Sequence, residues 1–132
     1  MPWVEVFAVL VVSHLTGDYV IQTEWQAVNK FGGLTRAGEP RRALLAHVVS
    51  YTLAFIPAFV WLADDLGAAV IAVIALVSIP HLIQDDGQLL VAYVTRFKRA
   101  SVTPGDPLFM SIDQSFHMVV LFGVALVTHA LA

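Results

Sequence analysis

Apolar and polar positions divide the chain into four long hydrophobic stretches separated by short polar windows. The stretches cover residues 2–22, 43–63, 66–94 and 108–132. Each is near the ~20 residues a helix needs to cross a bilayer. The predicted fold is therefore all-α: a polytopic membrane protein, with residues 1–132 forming a single domain, a four-transmembrane-helix bundle. The third stretch is long and carries Pro80, which predicts a kink or an interfacial tail. The first lacks a basic leading region, carries Glu5 and continues past His14 and Asp18, so it reads as a retained span rather than a signal peptide.

The windows between them are consistent with this. "TEWQAVNKFGGLTRAGEPRR" is a polar loop expected to prolong the first helix until Gly32 and Gly33 break it. "ADDLG" reads as a tight acidic turn, with Asp64 and Asp65 solvated. "TRFKRASVTPGDP" closes on Asp106 and Pro107, the N-cap and first-turn pair of a helix. Trp3, Trp25 and Trp61 fall near span ends, where indoles anchor at the interface.

Composition sharpens the class. The chain is 58% hydrophobic and 13% charged, too apolar for a soluble domain of its 132 residues. It has no cysteine, which removes disulfides, thiolate zinc sites, iron–sulfur clusters and thiol nucleophiles, and leaves any metal to nitrogen and oxygen donors. The seven Lys and Arg residues fall in two windows, Lys30 to Arg42 and Arg96 to Arg99. Neither is basic enough for nucleic acid. By the positive-inside rule both lie in the cytoplasm, with both termini and the acidic turn on the other side.

The candidate chemistry lies inside the apolar stretches. His14 and Asp18, His81 and Asp85, and Asp113 and His117 are each four residues apart, so each pair shares a helix face. His47 adds a fourth imidazole. Given the direction of each span, all seven side chains fall in the cytoplasmic half. Three unpaired aspartates in hydrocarbon would each cost about 2.5–3.5 kcal/mol. A bound cation neutralises them and satisfies the imidazoles together. The expected ligands are thus His14, Asp18, His47, His81, Asp85, Asp113 and His117, enough for two divalent ions of zinc, manganese or iron. Asp86 and Gln114 sit beside ligands about 100° around their helices, placed for supporting or general-base, and hence catalytic, work. Gln22 continues the His14/Asp18 face toward a substrate. Arg41 and Arg42, with Arg96, Lys98 and Arg99, would draw anionic headgroups to that level.

The halves echo one another: HxxxD at position 14 precedes a basic loop and His47, and HxxxD at position 81 precedes a basic loop and His117. This reads as two parallel helix-pair repeats, imperfect because Ala43 stands where Asp113 would correspond. A lone intramembrane His is more often a helix contact than a ligand; His129, at the far end of the last span, is read as interfacial or frayed.

The run "HLTGDYVIQTEWQAVNK", then "LLAH", "HLIQDD" and "IDQSFH", resembles a bacterial inner-membrane family of unknown function (domain of unknown function 3307). The resemblance covers nearly the whole chain and marks Gln22, Trp25, Lys30 and Gln114 besides the seven donors. It implies a bacterial inner-membrane location and makes Trp25 and Lys30 candidates for substrate contact. Gln88 stands where that family usually has Lys. A looser likeness is to small inner-membrane metal-dependent hydrolases. The leading expectation is a metal-dependent hydrolase acting on an amphipathic, phosphate-bearing substrate among membrane lipids. Set against it are a metal or ion transporter or proton relay, a haem protein, and a small accessory subunit or homodimer with a structural metal. Haem would leave the aspartates unexplained.

Overall fold

The computed structural model describes all residues 1–132, and every regular element is helical. Helix α1 (Trp3–Leu15) continues through a π-helical turn at Thr16–Ile21. Then follow α2 (Glu24–Asn29), α3 (Glu39–Ala54), α4 (Ile56–Leu66), α5 (Val70–Asp85), α6 (Gln88–Tyr93) with a π-helical turn at Val94–Lys98, and α7 (Pro107–Leu131).

Helices α1 and α7 pack side by side and run antiparallel. Trp3 and Phe7 meet Phe122 edge-on near one end, and His14 meets Gln114 toward the other. Helices α3 and α5 are also antiparallel: Thr52 bonds Ser78 at 2.9 Å, and His47 meets His81. One end of the fold is an apolar core of Val6, Leu10, Phe55, Leu62, Val73 and Leu121 with their neighbours. The buried histidines and aspartates occupy the other end. A smaller cluster of Leu90, Val94, Val102 and Phe109 lies against α7.

Three stretches are long and apolar enough to cross a membrane: Trp3–Ile21, Ile56–Asp85 and Pro107–Leu131. The middle one turns at Gly67 (φ +54), which returns α5 alongside α3. The expected span over residues 43–63 is interrupted at Phe55, between α3 and α4. Pro57 explains the break, because its ring would collide with the carbonyl four residues back. Phe55 N–H instead bonds Thr52 O at 3.1 Å, closing a tighter turn.

Other boundaries also differ from expectation. The first helix stops at Ile21, because Thr23 and Gln26 form a capping box that starts α2 afresh. The stretch expected over 66–94 ends as a helix at Asp85. Gly87 adopts φ +75, ends α5, and separates α6 as a short helix of its own. Pro80 is accommodated within α5. Asp64 and Asp65 lie in the last turn of α4, ahead of the turn proper. Asp106 holds the N-cap position of α7, but its carboxylate accepts from Thr103 N–H (2.7 Å) and hydroxyl (3.0 Å), bracing the preceding loop.

Candidate metal centre

The polar end of the fold collects side chains from five elements. His14 closes α1, and Asp18 projects from the π-helical turn. His47 comes from the middle of α3, His81 and Asp85 from the last turns of α5, and Asp113 and His117 from the first turns of α7. All seven are buried. Wider winding in the π turn moves Asp18 away from a strict α register, leaving its Oδ2 3.7 Å from His14 Nε2 while Oδ1 approaches His47 and His81.

Asp18, His81, Asp85 and His117 each offer a ligand atom within 4.8 Å of the others. His47 adjoins them. Its Nε2 lies 3.1 Å from His81 Nε2, 3.3 Å from Asp18 Oδ1 and 2.7 Å from Asp85 Oδ2. His81 Nε2 lies 3.5 Å from Asp18 Oδ1 and 3.3 Å from Asp85 Oδ2. Two donors on one tetrahedral ion with bonds of about 2.0–2.1 Å stand about 3.3 Å apart. The His47, His81 and Asp18 atoms form a triangle with edges near that length.

The decisive geometry is at His117. Its Nδ1 donates to the Asp113 carbonyl oxygen at 2.8 Å, and a carbonyl can only accept. In the neutral ring Nε2 therefore carries a lone pair, and it stands 3.2 Å from Asp85 Oδ1. Neither atom makes a hydrogen bond, and Asp18 Oδ1 is unpartnered as well. Acceptors facing one another in a buried space need either a proton or a metal cation between them. A carbonyl holding the far nitrogen of the ring is also the usual support of a metal-bound imidazole. The nitrogen and carboxylate donors suit zinc, manganese or iron. These residues fit a divalent ion.

His14 is differently engaged. Its Nε2–H donates to Gln114 Oε1 at 2.9 Å, leaving Nδ1 to accept from the Tyr51 hydroxyl at 3.0 Å. Gln114 in turn donates to Asp18 Oδ2 (3.3 Å) and Asp113 Oδ2 (3.4 Å). His14 and Gln114 thus hold the carboxylates in place, and Asp113 lies toward a polar cavity beside the cluster.

That cavity, about 80 Å³, is bordered by Asp18, Gln22, Lys30, Asp85, Asp113 and Gln114 among others. Lys30 Nζ donates to Asp85 Oδ2 at 2.7 Å. Gln22, its amide turned to donate to Asp18 O at 2.9 Å, accepts from Lys30 at 2.8 Å. Of the residues expected to meet substrate, Gln22 and Lys30 reach the cavity and three others do not. Trp25 Nε1 donates to Glu39 Oε1 at 3.0 Å on the surface. Arg41 reaches the carbonyls of Gly33 and Leu34, both at 3.4 Å, and Arg42 is exposed beside it. Asp86 is buried but faces the loop before α3: Oδ1 accepts from Leu34 N–H at 2.7 Å and Oδ2 from Gln88 at 2.8 Å. Gln88 also donates to Thr35 Oγ1 at 2.9 Å, so this amide pins the loop. His129 Nδ1 contacts the Met1 carbonyl at the exposed far end.

Tyr51 is the residue that the sequence reading missed. Its ring stacks on His81, and its hydroxyl serves His14. Its position four residues after His47, on the same buried face, is the signal that could have revealed it.

The fold and site together define an all-helical protein with membrane-crossing potential and a buried His/Asp group able to hold a metal ion. The family model described as "Protein of unknown function (DUF3307)" matches residues 6–132, and the chain belongs to that family. No curated protein and no solved structure matches the chain.

Proposed function

We propose that this protein is an integral metalloprotein of the bacterial inner membrane that hydrolyses an amphipathic, phosphate-bearing substrate at the cytoplasmic leaflet. Four spans, α1, α3 with α4, α5 and α7, would carry both termini to the non-cytoplasmic side. The unpartnered facing pair, His117 Nε2 and Asp85 Oδ1, carries the metal assignment. One ion is favoured over two, because both ring nitrogens of His14 have protein partners. Zinc, manganese and iron all suit the donors.

A bound divalent ion would supply an activated water and charge stabilisation at an oxyanion. Around it, Asp18, His81, Asp85 and His117 would be ligands, with His47 the fifth. Asp113 borders the polar cavity and is placed to take a proton from a nucleophilic water. Lys30 and Gln22 would orient an anionic group. Asp86 is assigned to holding the loop rather than to chemistry. Metal analysis of detergent-purified wild type tests this, with Asp18→Ala and Asp85→Ala as controls. Stoichiometric metal lost in both variants supports the centre, and wild type without metal ends the reading.

A proton relay is the second reading. It is favoured by the chain of close contacts from Asp18 through His81 and His47 to Asp85. Proton flux into proteoliposomes that survives a chelator would select it.

A further inference from the structure

Beside the polar cavity lies a second space, about 260 Å³, walled by Ile83, Leu89, Leu90, Tyr93 and Phe116. It runs between the end of α5, helix α6 and the first turns of α7. Gln84 and Asp113 border both spaces, so the apolar groove meets the polar cavity at these two side chains. Ile83 and Leu89 are exposed, and they open the groove on the outer surface of the molecule. In a membrane that surface faces lipid tails. Tyr93 and Phe116 meet edge-to-face at 5.1 Å and form its far wall.

We propose that the groove takes the hydrocarbon chain of a single-tailed lipid whose anionic headgroup enters the polar cavity beside the metal centre. This rests on the metal reading above and specifies its substrate class. The two spaces offer apolar walls at one end and a charged terminus at the other, which is the polarity of an amphiphile. The Lys30 ammonium at the polar end sets the sign of the headgroup. Asp18, Asp85 and Asp113 face a single ammonium, Lys30, there. Alone they repel an anion; a divalent ion held by the cluster would bring the three carboxylates and the ammonium to neutrality, which lifts the repulsion and leaves the Lys30 ammonium to meet an anionic headgroup. Headgroup binding and metal binding are therefore coupled, each strengthening the other. Gln84, whose amide can donate and accept, stands where the head passes.

The test uses full-length protein in nanodiscs and two synthetic probes, dodecyl phosphate and dodecylammonium, each carrying a photoreactive diazirine at the chain end. Labelled peptides are mapped by mass spectrometry, and metal content is measured on the same sample. The expected result is phosphate-probe labelling confined to α6 and the start of α7. Labelling requires the divalent ion, is competed by unlabelled dodecyl phosphate, and is not competed by inorganic phosphate. Leu89→Trp, which fills the groove from an exposed position, should abolish labelling and leave metal content unchanged. Diffuse labelling over lipid-facing positions such as Val12 and Ile71 overturns the groove. Equal labelling by the ammonium probe overturns the anionic headgroup. Metal-loaded protein that does not label refutes this proposal alone, whereas protein that holds no metal takes the centre and the headgroup assignment down together.

Discussion

The Tyr51 ring lies flat on the His81 imidazole, centroids 3.4 Å apart and planes 4° from parallel. The stack fixes the plane of His81 and so the direction of the Nε2 that points at Asp18 and Asp85. Behind the tyrosine is the backbone of Gly17, one residue before Asp18. A Cβ there would stand 2.7 Å from Tyr51 Cδ2 and 3.3 Å from its Cα.

Gly17→Ala should therefore push Tyr51 off its stack and disturb the centre. Overpacking of this kind costs about 1–3 kcal/mol. Thermal unfolding in detergent should show a lowered midpoint, and metal content should fall. Gly123→Ala is the control: nothing lies within 4 Å of a Cβ at that position of α7. Equal effects of the two substitutions would remove Tyr51 from the account.

The two outer histidines of the cluster should respond in opposite ways. His117→Gln removes the nitrogen that faces Asp85, and bound metal should be lost. His14→Gln disturbs contacts to Tyr51 and Gln114 but takes no free lone pair from the cluster, so most metal should remain. Elemental analysis of both purified variants decides between this assignment and a seven-ligand centre, in which both would lose metal.

Lys30→Met leaves Asp85, whose side chain is fully buried, without its ammonium. Breaking a buried pair from one side costs on the order of 3 kcal/mol. The variant should unfold earlier than wild type in a chelator and recover part of the difference when zinc or manganese is added, because a ligand of the folded state alone stabilises it. An unchanged midpoint in chelator would show that the pair contributes nothing to stability.

Asp86→Ala should separate loop anchoring from metal binding. The Leu34 N–H and the Gln88 amide lose their acceptor, a loss of roughly 1–3 kcal/mol. Limited proteolysis should cut faster between Lys30 and Arg36, with metal content unchanged. Loss of metal in this variant would bring Asp86 back to the centre.

What the sequence determined by itself was local. Helical content followed from apolar run lengths, and the sharing of faces within His14/Asp18, His81/Asp85 and Asp113/His117 followed from a four-residue spacing, because helix geometry repeats near that period. Alternating helix directions, expected from where Lys and Arg fall, were enough to anticipate that the donors gather at one end of the fold, while the side of a membrane on which that end lies belongs to the proposal. The tertiary structure decided the rest. Lys30 finds Asp85 across 55 positions, and Tyr51 stacks on a ring from another helix. Helix rotation and the π turn that carries Asp18 select which donors face inward. His14 is committed to Tyr51 and Gln114, and Asp86 to Leu34, although each carries the same chemistry as the donors beside it. Periodicity tells which side chains share a face of one helix. It does not specify how far that helix is rotated against its partners, and a rotation of one residue, about 100°, exchanges a side chain facing the cluster for one that braces it.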